Sequence, residues 1–166
     1  MRHLHPLLVF LVFCAVSLTA CSGNPLLEES VQTLNGVEAV DLDGKAHVPA
    51  QIAAEDRAVL FVFWDPTNGK QYPVLQDTAQ IARERADEFQ FYGVIRGAQH
   101  DEAELRALLE QLEVDFPQLM DRDGSLTRRY HAQDAPWFMV WGVHGQLSYR
   151  VQGLPHVWDG IQGRSN

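Results

Sequence analysis

The pattern of apolar and polar positions predicts alternating strands and helices along most of the chain. The continuous apolar run AVLFVF, at residues 58–63, predicts a strand covered on both faces, and FQFYGVI, at residues 89–95, predicts a second strand of this kind. Between the two runs, apolar residues recur at helical spacing from Pro73 onward, which predicts an amphipathic helix. A strand, a helix and a second strand in this order indicate a β-α-β crossover unit.

Shorter elements flank this unit on both sides. The stretch VEAVDLDGKAHVP alternates apolar and polar residues around the turn dipeptide Asp43-Gly44 and predicts a hairpin. HDEAELRALLEQLEV predicts a helix that Asp101 caps, with Glu104 placed to complete a capping box. SLTRRY predicts a short helix, and PWFMVW and LSYRV predict two strands around a glycine turn. The predicted order β-β-α-β-α-β-β requires helices laid over a mostly parallel sheet.

The N-terminal segment predicts a secretory signal and not part of the fold. Arg2 precedes the apolar run PLLVFLVFCAVSL, which is too short to span a bilayer as a helix. The run ends in LTAC, which resembles a bacterial lipobox, and this resemblance implies cleavage before Cys21 and lipidation of that residue. Ser22 follows, and by resemblance to the sorting rule of enteric bacteria it favours the outer membrane, facing the periplasm. The predicted organisation is a signal peptide at residues 1–20, a lipidated tether at residues 21–33 and a folded domain at residues 34–166.

The cysteine content limits the chemistry of the mature domain. The chain contains only Cys14 and Cys21, of which the first leaves with the predicted signal and the second carries the predicted lipid. The mature domain therefore has no thiol for a disulfide or for a nucleophile. Because the formal net charge is −9, we expect no nucleic-acid partner, and a membrane contact through the lipid on Cys21 alone.

Seven histidines raise the question of a metal site. Two of them belong to the predicted signal, and the other five are scattered without the H-x-x-x-H or H-E-x-x-H spacing of metal ligands. We therefore expect no metal and no cofactor, and the spacing leaves open only a site assembled from distant histidines.

From about residue 37 to residue 153 the chain resembles the thioredoxin superfamily, specifically its membrane-tethered periplasmic branch related to thiol/disulfide oxidoreductases and peroxiredoxins. The resemblance lies in VDLDGKAHVP, AVLFVFW and FPQLMDRDGSLTRRYHAQDAPWFMVWGVHGQLSYRVQG, which follow in that order. It implies an α/β fold of three layers, in which a mixed central sheet is flanked by helices.

The same resemblance indicates which residues stand at the family's redox motif, W-C-x-x-C. Aligning Trp64 and Pro73 with the family's tryptophan and proline places Asp65 and Asn68 at the two cysteine positions. A register shifted by one turn places Asn68 and Gln71 there instead. Neither register contains sulfur, and thiol/disulfide exchange requires a thiolate that attacks sulfur.

Asp65 can have a structural role at this position, as the cap of a helix. A carboxylate is a good N-cap, Pro66 suits the first helical position, and the helix dipole lowers the pKa of a carboxylate there. We therefore expect Asp65 to cap the following helix, because a general base would need a raised pKa and a partner within reach.

The motif DAPWF places Pro136 where the family has a cis proline that faces the redox motif and exposes backbone groups to an extended peptide. The alternative is an ordinary trans proline at the start of a strand. Trp64 and Trp137 either flank the resulting groove or belong to the core. The candidate partner-binding residues are therefore Trp64, Asp65, Pro136 and Trp137.

These residues favour a redox-inactive, non-enzymatic lipoprotein that acts as a binding or assembly factor for a protein or peptide partner in the periplasm. The alternative is an oxidoreductase-like enzyme of the thioredoxin family that works through a partner's thiols or a bound cofactor. Only the resemblance in fold supports this alternative, and a fold does not by itself specify a function.

Overall fold

The structure, a computed structural model, describes residues 31–53, 55–97 and 100–153. The predicted signal, Cys21 and most of the predicted tether lie outside the described residues. Residues before the expected boundary at residue 34 also contact the domain, since Val31 packs against the core and Thr33 pairs with Gln146. Residues 31–33 therefore belong to the folded domain, where side chains of Arg129 and Tyr130 donate to the Thr33 carbonyl.

A small hairpin precedes the main sheet. The hairpin pairs β1 (Ala39–Val40) with β2 (Ala46–His47) in antiparallel fashion, as the alternating pattern predicts. Five further strands form the main sheet: β3 (Ala58–Trp64), β4 (Phe89–Arg96), β5 (Gln118–Asp121), β6 (Trp137–Trp141) and β7 (Leu147–Gln152). Their order across the sheet is β5-β4-β3-β6-β7. The sheet is mixed, since β3 to β5 pair in parallel while β6 and β7 pair antiparallel.

Within the described residues, four α-helices connect these strands. They are α1 (Pro49–Ala53), α2 (Tyr72–Glu84), α3 (Glu102–Gln111) and α4 (Ser125–Arg129), and a short 3-10 helix, Gly69–Gln71, precedes α2. Asp101 caps α3 as predicted, because its carboxylate accepts from two backbone N–H groups of the first turn. No helix in the described part of the chain has the length and apolar character needed to cross a bilayer.

The two faces of the sheet carry separate cores. Alternate residues of β3 point to opposite faces, so Leu60 and Val62 pack under α2 and α3, while Val59 and Phe61 pack with α1 and α4. Every residue of β3 after Ala58 is buried, which confirms the strand predicted to be covered on both faces. Helices on both faces of a mixed sheet make three layers, as the resemblance implies.

Two elements were not predicted from the sequence. The strand β5 has only four residues, QLMD, and two of them are buried polar side chains whose partners lie elsewhere in the fold. The helix α1 is a single short turn, PAQIA, without a capping side chain or a long apolar stripe. Both elements lack the periodicity on which a sequence-based prediction depends.

A buried hydrogen bond between Asp41 and His47 holds the hairpin together next to β5. The Asp41 carboxylate lies 2.6 Å from His47 Nε2 and also accepts from the backbone N–H groups of Asp43 and Lys45. Burial raises the pKa of Asp41, but these hydrogen bonds outweigh it and leave the pKa below its ordinary value. Because Asp41 also forms a bridge with Leu119, the hairpin is fixed to the edge of the main sheet.

Gly93 in β4 makes space for a buried glutamine. Gly93 lies opposite Gln118 in the parallel β4-β5 pair, and a Cβ added at Gly93 would lie 2.5 Å from Gln118 Cδ and 2.7 Å from Nε2. The Gln118 amide donates to the Phe116 carbonyl and accepts from the Trp64 indole at 3.0 Å. The glycine therefore allows the hydrogen bond that fixes the last side chain of β3.

We expect Gly93→Ala to lower the free energy of unfolding by about 2 kcal/mol or more, because displacing Gln118 leaves buried polar atoms without partners. Urea unfolding followed by tryptophan fluorescence measures this loss. Gly142→Ala is the matched control, since a Cβ there meets no atom within 4 Å and the change should be nearly neutral. Equal effects of the two substitutions would contradict the role assigned to Gly93.

Candidate functional site

The site lies at the carboxyl end of β3, where the loop of residues 65–71 leads into α2. The predicted helix start at Pro66 is wrong: residues 66 and 67 form a turn, the 3-10 helix begins at Gly69, and α2 begins at Tyr72. Asn68 is the residue that caps, because its side-chain oxygen accepts from the Lys70 N–H at 3.2 Å. The sequence pattern Asp-Pro is typical of a helix cap, but helical structure begins only at Gly69.

Asp65 instead stabilises the turn that it begins. Its Oδ1 accepts from the backbone N–H of Thr67 at 2.9 Å and from the Thr67 hydroxyl at 2.7 Å. Burial raises the pKa of the Asp65 carboxyl, but the bonds from Thr67 and the charges of Arg96 and His100 outweigh it, so the pKa is lowered. The direction is the expected one, although its cause is local hydrogen bonding and not a helix dipole. A carboxylate that stays ionised in this way is a poor general base.

A buried glutamine connects this loop to a second loop that lies 64 residues further along the chain. Gln71 is only 3% exposed. Its Oε1 accepts from the backbone N–H of Asp65 at 3.0 Å, and its Nε2 donates to the carbonyl of Ala135 at 3.2 Å. Gln71 thus joins the start of the 65–71 loop to the residue before Pro136.

The peptide bond between Ala135 and Pro136 is cis, which confirms the geometry that the resemblance implies. Pro136 is half-buried, and its carbonyl accepts from the N–H of Gly153. Trp137 follows as the first residue of β6, and the Arg150 guanidinium stacks 3.9 Å from the centre of its ring. Asp65, Gln71 and the cis proline are therefore brought together, as expected for two facing loops.

The two tryptophans of the candidate set differ in position. Trp64 is 1% exposed and donates its indole N–H to Gln118, so it is a core residue, and it also contributes to the lining of a small cavity between the two loops. Trp137 is half-buried, packs against the core that contains α1 and α4, and is covered by the Arg150 guanidinium. Of the residues expected to bind a partner, only Asp65, Pro136 and Trp137 keep any exposed surface.

A small cavity of about 110 Å³ lies between the two loops. Its lining includes Asp65, Asn68 and Gln71 from one loop and residues 132–135 from the other. Most ligand pockets have a volume of about 300 to 1,000 Å³, so this cavity suits water or one small group. Among the described residues, no group of three or more histidine, aspartate or glutamate side chains is placed to hold a metal ion.

Two residues of the site, Arg96 and His100, were not identified from the sequence, and the bridging role of Gln71 was not predicted. Arg96 ends β4, whose parallel pairing brings it to the same edge of the sheet as Asp65, and its side chain donates to the Gln133 carbonyl. His100 follows in the next loop, within electrostatic range of Asp65. The position of Arg96 beside Asp65 could be predicted from the sequence, because the carboxyl ends of parallel strands meet at one edge of the sheet. The role of Gln71 depends on the folded position of Ala135 and could not be predicted in this way.

The sequence matches no protein-family model and no curated protein. Solved structures do match. A secreted disulfide oxidoreductase of Mycobacterium tuberculosis, described as homologous to DsbE of E. coli, is 20% identical and has a TM-score of 0.64, with 82% of this chain and 96% of that one covered. The exposed lipoprotein thioredoxin of Streptococcus pneumoniae is 22% identical, with a TM-score of 0.65 and coverage of 76% and 96%.

A thiol-disulfide oxidoreductase of Bacteroides fragilis is 14% identical and superposes with a TM-score of 0.67, covering 80% of this chain and 98% of that one. This chain has a thioredoxin-like fold. Identities of this size establish the architecture alone, so the chemistry of the site must come from its own residues. In this thioredoxin-like domain, residues 65–71 and 132–136 contain carboxylate, amide and hydroxyl groups and no cysteine.

We expect Asp65→Asn to reduce stability in a pH-dependent way. The pKa of the folded carboxyl lies below its ordinary value of 3.8, so the carboxylate stabilises the fold above that value, and this contribution is lost as the pH falls through the folded-state pKa. The free energy of unfolding of the native chain should exceed that of the variant by about 1 kcal/mol at neutral pH, and the difference should shrink as the pH falls below 3.8.

Urea unfolding of both proteins across this pH range measures the difference. Asp87→Asn provides the control, since Asp87 is exposed at the opposite end of the sheet. A stability difference for Asp65→Asn that stays constant from neutral to acid pH would show that the charge plays no part.

Proposed function

We propose that this chain is a lipid-tethered, thioredoxin-like binding or assembly factor that holds a protein or peptide partner in the bacterial periplasm without thiol chemistry. The main support for the proposal is the amino-acid composition of the two loops at the site, residues 65–71 and 132–136. Asp65, Asn68 and Gln71 cover both registers of the redox motif, and each makes hydrogen bonds that a reactive cysteine would not make. Thiol/disulfide exchange needs a thiolate, and residues 22–166 contain none.

The proposed location rests on the N-terminal sequence and on the structural neighbours. The signal-like run and the lipobox at Cys21 favour a lipid anchor, and Ser22 favours the outer membrane. Among the neighbours, one protein is described as secreted and another as an exposed lipoprotein, which supports an envelope location for this chain. A lipid on the first mature residue would hold the domain close to the membrane surface.

The proposed binding surface, called here the paired-loop surface, consists of residues 65–71 and 132–136. Thr67, Asn68, Gln133 and Asp134 are exposed on it, and the buried Gln71 bridge fixes the two loops relative to each other. Rigid loops at the carboxyl end of a sheet are the usual place for recognition in α/β folds. We infer that an extended segment of the partner lies along this surface.

Site-specific photo-crosslinking in the native envelope tests the binding function. A photoreactive residue is placed at Thr67 or at Asp134 on the paired-loop surface, and at Asp87 at the opposite end of the sheet as the control. We expect the same envelope protein to be captured from both surface positions and not from Asp87. Capture of no protein, or of the same proteins from all three positions, would contradict the proposal.

An insulin-reduction assay on the full protein in detergent tests the absence of thiol chemistry. We expect no turnover above the rate of the reductant alone, because no thiolate is present to form a mixed disulfide. Catalytic turnover would favour the alternative, an oxidoreductase-like enzyme that uses a partner's thiols or a bound cofactor.

A further inference from the structure

The Gln71 side chain has the hydrogen-bonding groups of a main-chain peptide unit. A carboxamide presents a carbonyl acceptor and an N–H donor in one plane, as a peptide group does. In this protein the acceptor takes the N–H of Asp65 at 3.0 Å and the donor meets the carbonyl of Ala135 at 3.2 Å. The two backbone groups that face each other across the loops are therefore both satisfied by one side chain of the same molecule.

The surroundings of this amide are enclosed but not completely filled. Gln71 is 3% exposed, whereas Asn68 and Asp134 on either side of it are exposed. The cavity of about 110 Å³ adjoins the amide, and Asp65, Gln71 and Ala135 contribute to its lining. That volume corresponds to a few water molecules, since one water occupies about 30 Å³ in the liquid. If the Gln71 carboxamide were removed, the space that it occupies would become part of this cavity.

We propose that Gln71 is an internal occupant of a slot for one peptide group, formed by the Asp65 N–H and the Ala135 carbonyl, and that the main chain of an extended partner displaces it. This inference rests on the proposed function and adds how one slot of the paired-loop surface is filled before the partner binds. A buried N–H and carbonyl without partners are costly, so a side chain that satisfies both keeps the empty surface stable. The partner then recovers the same two hydrogen bonds from its own backbone.

The test uses the full chain purified in detergent and a defined probe, acetyl-alanyl-N-methylamide, which contains peptide groups and no reactive atom. Gln71→Ala empties the slot, and titration is followed by the ¹⁵N and ¹H shifts of the Asp65 amide. We expect a saturable shift in Gln71→Ala with an affinity at least tenfold higher than in the native chain. Gln76→Ala is the matched control, because Gln76 is an exposed glutamine on α2, and it should behave like the native chain.

Gln71→Asn provides a second variant if the alanine variant does not fold. Its shorter side chain leaves less empty volume and cannot span both backbone groups, so it should also bind the probe more tightly than the native chain does. No saturable shift in a folded variant, or equal affinity in the native chain and both variants, would overturn the inference. This test and the crosslinking test can fail independently. If the variants bind the probe but crosslinking captures no partner, the slot stands and the proposed function is contradicted. If crosslinking captures a partner but no variant binds the probe, only the slot is contradicted.

Discussion

The burial of β3 between β4 and β6 is the constraint on which the rest of the structure depends. Its seven residues, Ala58–Trp64, are almost all apolar, so the strand is stable only where both faces are covered. Alternate side chains then define two cores, one under α2 and α3 and the other against α1 and α4. Because β3 ends at Trp64 and pairs in parallel with β4, the residues that follow both strands meet at one edge of the sheet.

At this edge, hydrogen bonds hold together the two loops that meet where the resemblance places the redox motif. Asp65 and Thr67 form the first turn, Asn68 caps the 3-10 helix, and Gln71 connects the turn to the loop before the cis proline at Pro136. Each of these side chains contributes to the shape of the loops, and none is a nucleophile of the kind that disulfide exchange requires. Rigid polar loops without reactive groups suit recognition of another chain.

The sequence predicted the elements with strong periodicity and missed those that depend on distant partners. The strands β3 and β4 and the helix α3 follow from apolar runs and a capping aspartate. The strand β5 was missed because Gln118 and Asp121 look like loop residues until their buried partners are known. Asp65 was assigned to the wrong structure, since Asp followed by Pro is typical of a helix start as well as of a turn. The bridge from Gln71 to Ala135 joins residues 64 positions apart, which local patterns do not encode.

We propose that the protein works without any free sulfur, and the most direct test is a thiol count on the protein purified from the cells that naturally make it. The full protein is extracted in detergent, denatured, treated with a maleimide reagent with and without prior reduction, and examined as the intact protein by mass spectrometry. We expect no adduct in either condition and a mass that corresponds to a chain beginning at an acylated Cys21. A maleimide adduct, before or after reduction, would contradict the claim and return the chain to thiol chemistry.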